Sequence, residues 1–432
     1  MEKWQLQPGD TIETIDYGKA TVKSRLGGGG QGEVYLVNYN DTEMALKWYK
    51  PSVLKNKKKF YSNLKSNIEA KSPSDAFLWP EHLTKEDKET FGYVMRLRPS
   101  GYEDVAKFLK AKVHFKDEQA CITATLKMVN AFKELHNRGY SYQDINDGNF
   151  FINPQSGDVL VCDNDNVAPY GESLGIAGKP NYMAPEIVLG EEKPNVWTDR
   201  FSLAVMLFLL LTLSRPFEGK MTLVPALTEK LERKFFGESP VFIFDPNNDG
   251  NRPVRGVHKN AEMLWSTYPD YIKNAFIQTF TKGLKNPDER VTEQGWEEVL
   301  MRLREETISC SECGWGIVYD ICGTQNICIN PKCRHELPKL LALKSKRFNI
   351  VIYPGAKIYN ARTKPGGNIF EVSGEIIQNK KNPGLWGIRN LSDSTWHELT
   401  PNGEQRVINN GDVIRALRGI KVNFEGTEAD IE

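Results

Sequence analysis

In the run Tyr142–Asn149 (YQDINDGN) an acid, Asp144, precedes an amide, Asn149, by five positions. A carboxylate and a neutral oxygen donor on one short, rigid segment can orient an acceptor hydroxyl and hold a magnesium ion, and phosphoryl transfer from ATP requires both. A second acid, Asp163, opens the triplet Asp163-Asn164-Asp165 directly after Val159-Leu160-Val161-Cys162. Those four residues read as a buried strand, and a carboxylate at its end can chelate the Mg²⁺ that bridges the β and γ phosphates. Asp163 falls 14 residues after Asn149, which leaves room for a hairpin between the two metal ligands. Lys47 follows the apolar triplet Met44-Ala45-Leu46, 13 residues after Val34. There its ammonium could pair with the α and β phosphates.

Upstream, Gly27, Gly29, Gly32 and Val34 fit the pattern G-x-G-x-x-G-x-V, with Gly28 and Gly30 filling two of the variable positions. Glycines permit positive φ and close backbone approach, so amide N–H groups can point at phosphate oxygens. The same pattern serves dinucleotide sites, but those need a helix next. Here EVYLVNYNDTEMALKWYK follows and reads as strand, turn and strand, which favours a hairpin covering ATP.

The elements that must position these groups can be read from periodicity. Residues 11–49 alternate in the manner of strands, with the glycine cluster interrupting them. Helical patterns dominate 117–304, broken by a polar stretch at 146–179, and ALKMVNAFKELHNRGY is an amphipathic helix stopping near Gly139, three residues before the YQD segment. A strand-rich part followed by a helix-rich part predicts an α+β fold. Short strand patterns return at 348–424, separated by Pro354-Gly355, Pro365-Gly366, Asn402-Gly403 and Asn410-Gly411, and predict a small β-sandwich. The basic run Lys55–Lys59 reads as a solvated face.

The 432 residues suggest about three domains at roughly 150 residues each. Lys plus Arg and Asp plus Glu both total 56, so no charge bias points to nucleic acid or membrane. The most apolar run, 201–213, is too short to cross a bilayer and predicts a buried helix. Residues 1–10 carry no signal-peptide pattern, and the expected compartment is a reducing cytoplasm. Five of the seven cysteines crowd into 310–333. Cys310 and Cys313 form a knuckle with Gly314 just after, and Cys328 and Cys333 complete a four-thiolate set for a structural, tetrahedral Zn²⁺. Disulfides are the alternative, Cys322 and His335 are alternate ligands, and Cys121 and Cys162 read as core.

The order GxGxxGxV, AxK, YxDxxxxN, DND and Met183-Ala184-Pro185-Glu186 resembles eukaryotic-like Ser/Thr protein kinases of bacterial type. The resemblance implies a bilobal domain over 11–305, with a small lobe at 11–98 and a large lobe at 99–305. It makes Asp144 the base, Asn149 and Asp163 the Mg²⁺ ligands, and Ala45 and Lys47 part of the ATP site. Met95 falls at the gatekeeper position, with Arg96, Leu97, Arg98 and Pro99 as the hinge. Asp199 looks like the aspartate that anchors the catalytic loop, and Arg290 like the arginine that pairs with Glu186. The implied activity is phosphorylation of a protein hydroxyl. The alternatives are an ATP-binding pseudokinase scaffold and a small-molecule kinase.

Several positions depart from that pattern. Tyr142 and Gln143 replace the usual His and Arg, and Asn146 a lysine that touches the γ phosphate. Asn164 and Asp165 replace Phe and Gly, and Lys179 a threonine. Asn63 stands near the place of the helix glutamate expected to pair with Lys47, with Glu69 the nearest acid. The short activation loop offers only Tyr170, Ser173 and Tyr182 as hydroxyls, so loop phosphorylation is not expected to be the main switch.

The remaining chain reads as a zinc ribbon at 306–340 and, over 346–432, the domain of that small sandwich. Residues 386–424, with Asn-Gly turns and Gly411-Asp412-Val413-Ile414, are similar to the second half of a forkhead-associated domain. That likeness implies a protein-interaction module. The kinase, ribbon and forkhead-like order is similar to bacterial kinases associated with tellurite-resistance-type gene clusters, and implies a von Willebrand A-type protein and a metal-dependent protein phosphatase as partners.

Overall fold

Strand Gly32–Tyr39 buries Tyr35, Val37 and Tyr39 on one face. That alternation is what a sheet with one covered face requires. The strand sits inside a six-stranded antiparallel sheet whose order is Thr11–Glu13, Lys19–Gly28, Gly32–Tyr39, Thr42–Tyr49, Gly92–Arg96, Pro80–Leu83. Ala20, Val22, Leu46, Trp48 and Val94 join the buried face. Helix Lys57–Ala70 is N-capped by Asn56. The computed structural model describes residues 2–54, 56–172, 178–323 and 326–432. Lys55 of the basic run and Ser173 of the activation loop lie outside them.

The chain divides into two compact units. The first holds residues 1–115, 124–264 and 274–296, and the second holds 116–123, 265–273 and 297–432. In the first unit the sheet is followed by helix-rich structure. Helix Val196–Thr212 is apolar nearly all round, and its side chains are buried from Phe201 to Thr212. A helix without a polar face has to lie inside the protein. Its start is set by a capping box, in which the Asn195 side chain accepts the Thr198 N–H and the Thr198 hydroxyl accepts the Asn195 N–H. Phe201, Phe208, Phe217, Phe276 and Phe280 pack edge-to-face or stacked around it. No helix among the described residues is long and apolar enough to cross a membrane.

The second unit is rich in strands. A hairpin of Thr307–Ser309 and Gly316–Val318 carries the first cysteine pair. Beyond it lie a six-stranded sheet and a four-stranded sheet. The larger runs Asn349–Val351, Ala342–Lys344, Glu428–Ile431, Lys421–Asn423, Trp396–Leu399, Gln405–Ile408, and the smaller Lys357–Tyr359, Val372–Gln378, Trp386–Asn390, Val413–Arg415. Ile350, Ile358, Ile376, Ile388, Ile408, Ile414 and Phe424 build a common core around Trp396. All four expected turn glycines take positive φ, from 69° at Gly366 to 91° at Gly355, which L side chains resist.

Gly374 shows how tightly this core is built, because a Cβ there would lie 2.6 Å from the Trp396 ring and 2.9 Å from the Arg389 carbonyl oxygen. Neither neighbour can retreat without moving the sheet. A Gly374→Ala chain should therefore lose about 1–3 kcal/mol from this unit, seen as a lower denaturant midpoint in Trp fluorescence. An unchanged midpoint would show that the core is loose at Trp396.

Candidate functional site

The lysine strand Thr42–Tyr49 lies between the glycine hairpin and Gly92–Arg96. Val34 pairs with Lys47, and Ala45 with Met95. Val34, Ala45, Met95 and Leu97 share one apolar cluster with Leu160 and Phe151. Arg96 is exposed and donates to the carbonyls of Asp75 and Phe77 at 3.0 and 3.2 Å. The Arg98 guanidinium lies 3.8 Å from the Phe151 ring centre.

The glycine run is not the interruption that its composition predicts. The strand continues through Gly27 and Gly28, which pair with Val34 and Glu33, and Gly32 opens the next strand. None of Gly27, Gly28, Gly29, Gly30 and Gly32 takes positive φ. Their use lies in what they lack. A Cβ on Gly32 would sit 2.2 Å from the Trp48 carbonyl oxygen, whereas at Gly29 and Gly30 it would meet open space. Gly32 is therefore a packing glycine, while the tip leaves backbone uncovered for a ligand to approach.

Helix Glu118–Asn137 stops at Gly139, whose φ is 79° and whose N–H reaches the His136 carbonyl. The chain then enters the YQDINDGN segment. Asp199, buried at the start of its helix, accepts the Tyr142 and Gln143 N–H groups at 2.6 and 3.2 Å. His136 bridges Asp199 and Glu293 at 3.2 and 2.8 Å. Burial alone would lower its pKa, but the two carboxylates outweigh burial and raise it. Tyr142, where the family has histidine, is fully buried and donates its hydroxyl to the Cys162 carbonyl. Arg290, also buried, meets the Glu186 carboxylate with both terminal nitrogens, at 2.7 and 2.9 Å.

The hairpin Phe150–Ile152 with Val159–Val161 then draws the two expected metal ligands together. Phe150 pairs with Val161, and the Cys162 N–H bonds the Asn149 carbonyl at 2.8 Å, so Asn149 and Asp163 flank the same rung. Asn149 donates its amide nitrogen to Asp144, at 2.8 Å to the backbone and 3.2 Å to the carboxylate, which leaves its carbonyl oxygen as the free end. That oxygen and the partly exposed Asp163 carboxylate form an all-oxygen donor pair, which suits Mg²⁺. Burial pushes the Asp144 carboxyl up to about 6, opposed by hydrogen bonds from Asn149 and Asn146 and aided by the charge of Asp163. A base tuned toward neutrality is the better proton acceptor for a hydroxyl.

Lys47 reaches into the same cleft. Its ammonium lies 3.1 Å from Asp163, 2.8 and 2.9 Å from the two oxygens of Asp165, and 3.0 Å from Gln31. Burial alone would lower its pKa, yet the two carboxylates hold it above the ordinary lysine range. Asp165 is fully buried and also accepts the Tyr49 hydroxyl at 2.5 Å. Sequence reasoning missed Asp165, Tyr49, Gln31 and Leu160. One signal for Asp165 was present: an acid gained two residues after Asp163, in a chain with Asn63 where the helix glutamate is expected. Asn63 points elsewhere and donates to the Val167 carbonyl at 2.9 Å, as does Asn67. Asn164 fills the phenylalanine position, fully buried, and bonds the Leu78 and Val161 carbonyls at 2.7 and 2.9 Å. Of the described activation-loop hydroxyls, Tyr182 is buried and Tyr170 exposed.

In the second unit the Sγ atoms of Cys310, Cys313, Cys328 and Cys333 lie within 4.8 Å of one another, with contacts of 3.9 Å (Cys310 to Cys333) and 3.6 Å (Cys313 to Cys328). Tetrahedral Zn²⁺ with bonds of about 2.3 Å places its sulfurs about 3.8 Å apart, so this donor set fits. Gly314, with φ 72°, closes the first knuckle by donating to the Cys310 carbonyl at 2.9 Å. Cys322 is exposed and outside the cluster, and the backbone carbonyl of His335 accepts the Cys328 N–H.

Removing one partner of a buried ion pair strands the other, at a cost of about 3–5 kcal/mol. An Asp165→Ala chain should lose that much in denaturant unfolding, while Asn63→Ala should lose only about 1 kcal/mol, a single hydrogen bond. Equal losses would mean that Asp165 is not the principal counter-charge of Lys47.

The protein kinase domain model matches residues 20–236, half of the chain. Among curated proteins, the probable serine/threonine-protein kinase CCRP1 of Zea mays is 31% identical over 143 residues, which are 32% of this chain and 22% of that protein. The serine/threonine-protein kinase sck2 of Schizosaccharomyces pombe is 24% identical over 192 residues, 42% of this chain and 29% of that protein. The serine/threonine-protein kinase PknD of Protochlamydia amoebophila is 25% identical over 233 residues, 45% of this chain and 23% of that protein. The chain thus spans less than a third of the length of each of these relatives. With the lysine, the YQD loop and the DND triplet gathered in one cleft inside the matched region, this chain belongs to the protein kinase family.

Proposed function

We propose that the chain is an ATP- and Mg²⁺-dependent serine/threonine protein kinase, with its kinase domain over 11–305. The observation that carries this reading is the convergence of Lys47, of Asp144 with Asn149, and of Asp163, drawn from three separate segments. Lys47 would position the α and β phosphates beneath the backbone of Gly27–Gly32, and Val34, Ala45, Met95, Leu97 and Leu160 would enclose the adenine. Asn149 and Asp163 would hold Mg²⁺, which supplies charge neutralisation at the β and γ phosphates. Asp144 orients the acceptor hydroxyl and takes its proton. A bond forms from that oxygen to the γ phosphorus as the bond to the β,γ-bridging oxygen breaks, and ADP leaves.

A pseudokinase reading draws on one observation: the Lys47 ammonium already has three partners, Gln31, Asp163 and Asp165. ATP would have to displace Gln31 from it. One comparison separates the readings. With labelled ATP and Mg²⁺, the wild-type chain should label protein, and Asp144→Ala should lower the rate on the order of 10² to 10⁴-fold. Nucleotide binding with no Asp144-dependent label would establish the pseudokinase.

The 306–340 segment is read as a zinc ribbon and 346–432 as a forkhead-associated-like sandwich, two modules for recruiting protein partners. A von Willebrand A-type protein and a metal-dependent phosphatase remain the partners that the resemblance implies, and the cytoplasm the compartment. Metal analysis should find about one Zn²⁺ per chain, and a chelator should lower the unfolding temperature. A metal-free chain with unchanged stability would remove the ribbon from this reading.

A further inference from the structure

We propose that Lys179 is a catalytic residue, supplying from the activation segment the positive charge that the catalytic loop lacks on the acceptor side of the cleft. The inference rests on the kinase reading above. Phosphoryl transfer spreads negative charge over the equatorial oxygens of the moving group, and fixed cations facing that charge are its main source of stabilisation. The cations near the reacting centre can be inventoried.

Lys47 is committed to the nucleotide side by Asp163 and Asp165, at 2.8 to 3.1 Å. On the acceptor side, the segment from Tyr142 to Asn149 contains two acids and no lysine, arginine or histidine. Asn146 cannot supply the charge, and its side chain is already used inside the loop. Its nitrogen donates to the Asp144 carboxylate at 2.8 Å and backbone at 3.1 Å, and its oxygen accepts the Gly148 N–H at 2.9 Å. Asn146 is thus a turn-former that steadies the base.

Lys179 approaches the same loop from outside. Its ammonium sits 2.5 Å from Asp147 Oδ1, and a Cβ placed on Gly148 would be 3.7 Å from it. The residue before it, Gly178, comes so close that a Cβ there would lie 3.5 Å from Asp144 Oδ1. The backbone at 178 therefore abuts the base, while the side chain of 179 lies along the loop beside it.

Two features distinguish this lysine from a structural pin. Its side chain is 51% exposed while that of Asp147 is 12% exposed, so the lysine has open space to move in and the aspartate does not. Asp147 also has a second cation, Arg215, at 3.5 Å, itself held by the Tyr182 hydroxyl at 3.2 Å. Asp147 therefore keeps a counter-charge when Lys179 swings on its flexible four-carbon stem toward a bound phosphoryl group.

The test compares wild type, Lys179→Met, Lys179→Arg, and Lys179→Met combined with Asn146→Lys. All are full-length chains assayed with Mg-ATP and a generic Ser/Thr-rich acceptor protein, and thermal unfolding confirms that each is folded. Lys179→Met should lower kcat about 10² to 10³-fold, the range seen when one charge-stabilising donor is lost. KM for ATP should stay within about threefold, because the nucleotide side is untouched. Lys179→Arg should retain most of kcat, and Asn146→Lys should restore at least tenfold to the methionine variant. A pin between 179 and 147 cannot be rebuilt from position 146, whereas a charge can. An active wild type with unimpaired Lys179→Met, or with a loss that Asn146→Lys does not relieve, overturns the inference and leaves the kinase reading standing. A wild type that transfers nothing overturns both.

Discussion

A lysine ammonium buried beneath a sheet has to be neutralised, and the way this chain does so shapes the rest of its cleft. Lys47 is 4% exposed and cannot rely on water. Its counter-charge comes from Asp165, two residues beyond Asp163, so Lys47 and the two acids are coupled through one short turn. Asn164, between the two acids, locks the turn to the Leu78 and Val161 carbonyls.

This arrangement has a mechanical consequence. When the counter-charge sits on a separate helix, the ion pair depends on where that helix stands. Here Asp165 is fastened by its neighbours in sequence, and helix Lys57–Ala70 sends Asn63 and Asn67 to the turn, both donating to the Val167 carbonyl. Those bonds tie the helix to the same turn without making it a partner of the lysine. Moving that helix would break these two hydrogen bonds and leave the ion pair between Lys47 and Asp165 in place. The element that does touch Lys47 from elsewhere is Gln31, at the tip of the glycine hairpin, which also reaches Asn166 at 3.4 Å.

The catalytic loop shows the same substitution of means. Asp199 grips two consecutive backbone N–H groups, so its hold on the loop does not depend on the identity of residues 142 and 143. Tyr142 and Gln143 can then differ from the family pattern while the loop keeps its place. Tyr142 goes further and becomes a strut, packing on Phe132 and bonding the Cys162 carbonyl just before Asp163. The YQD loop and the strand end before Asp163 are thus linked through a residue that departs from the pattern.

The primary structure by itself determined the local features. Glycine and asparagine turns, the apolar helix Val196–Thr212, the thiol spacing and the order of acids and amides were all legible, because each depends on neighbours in the chain. Where a side chain reaches across the fold, spacing carried no such information. The pairing of Lys47 with Asp165 joins positions 118 residues apart, and that of Lys179 with Asp147 joins positions 32 apart. The glycine hairpin is a subtler case: composition signalled glycine, but only packing against Trp48 showed that Gly32 is needed for the space it leaves. Burial decides which charges must find partners, and burial is a property of the folded chain alone.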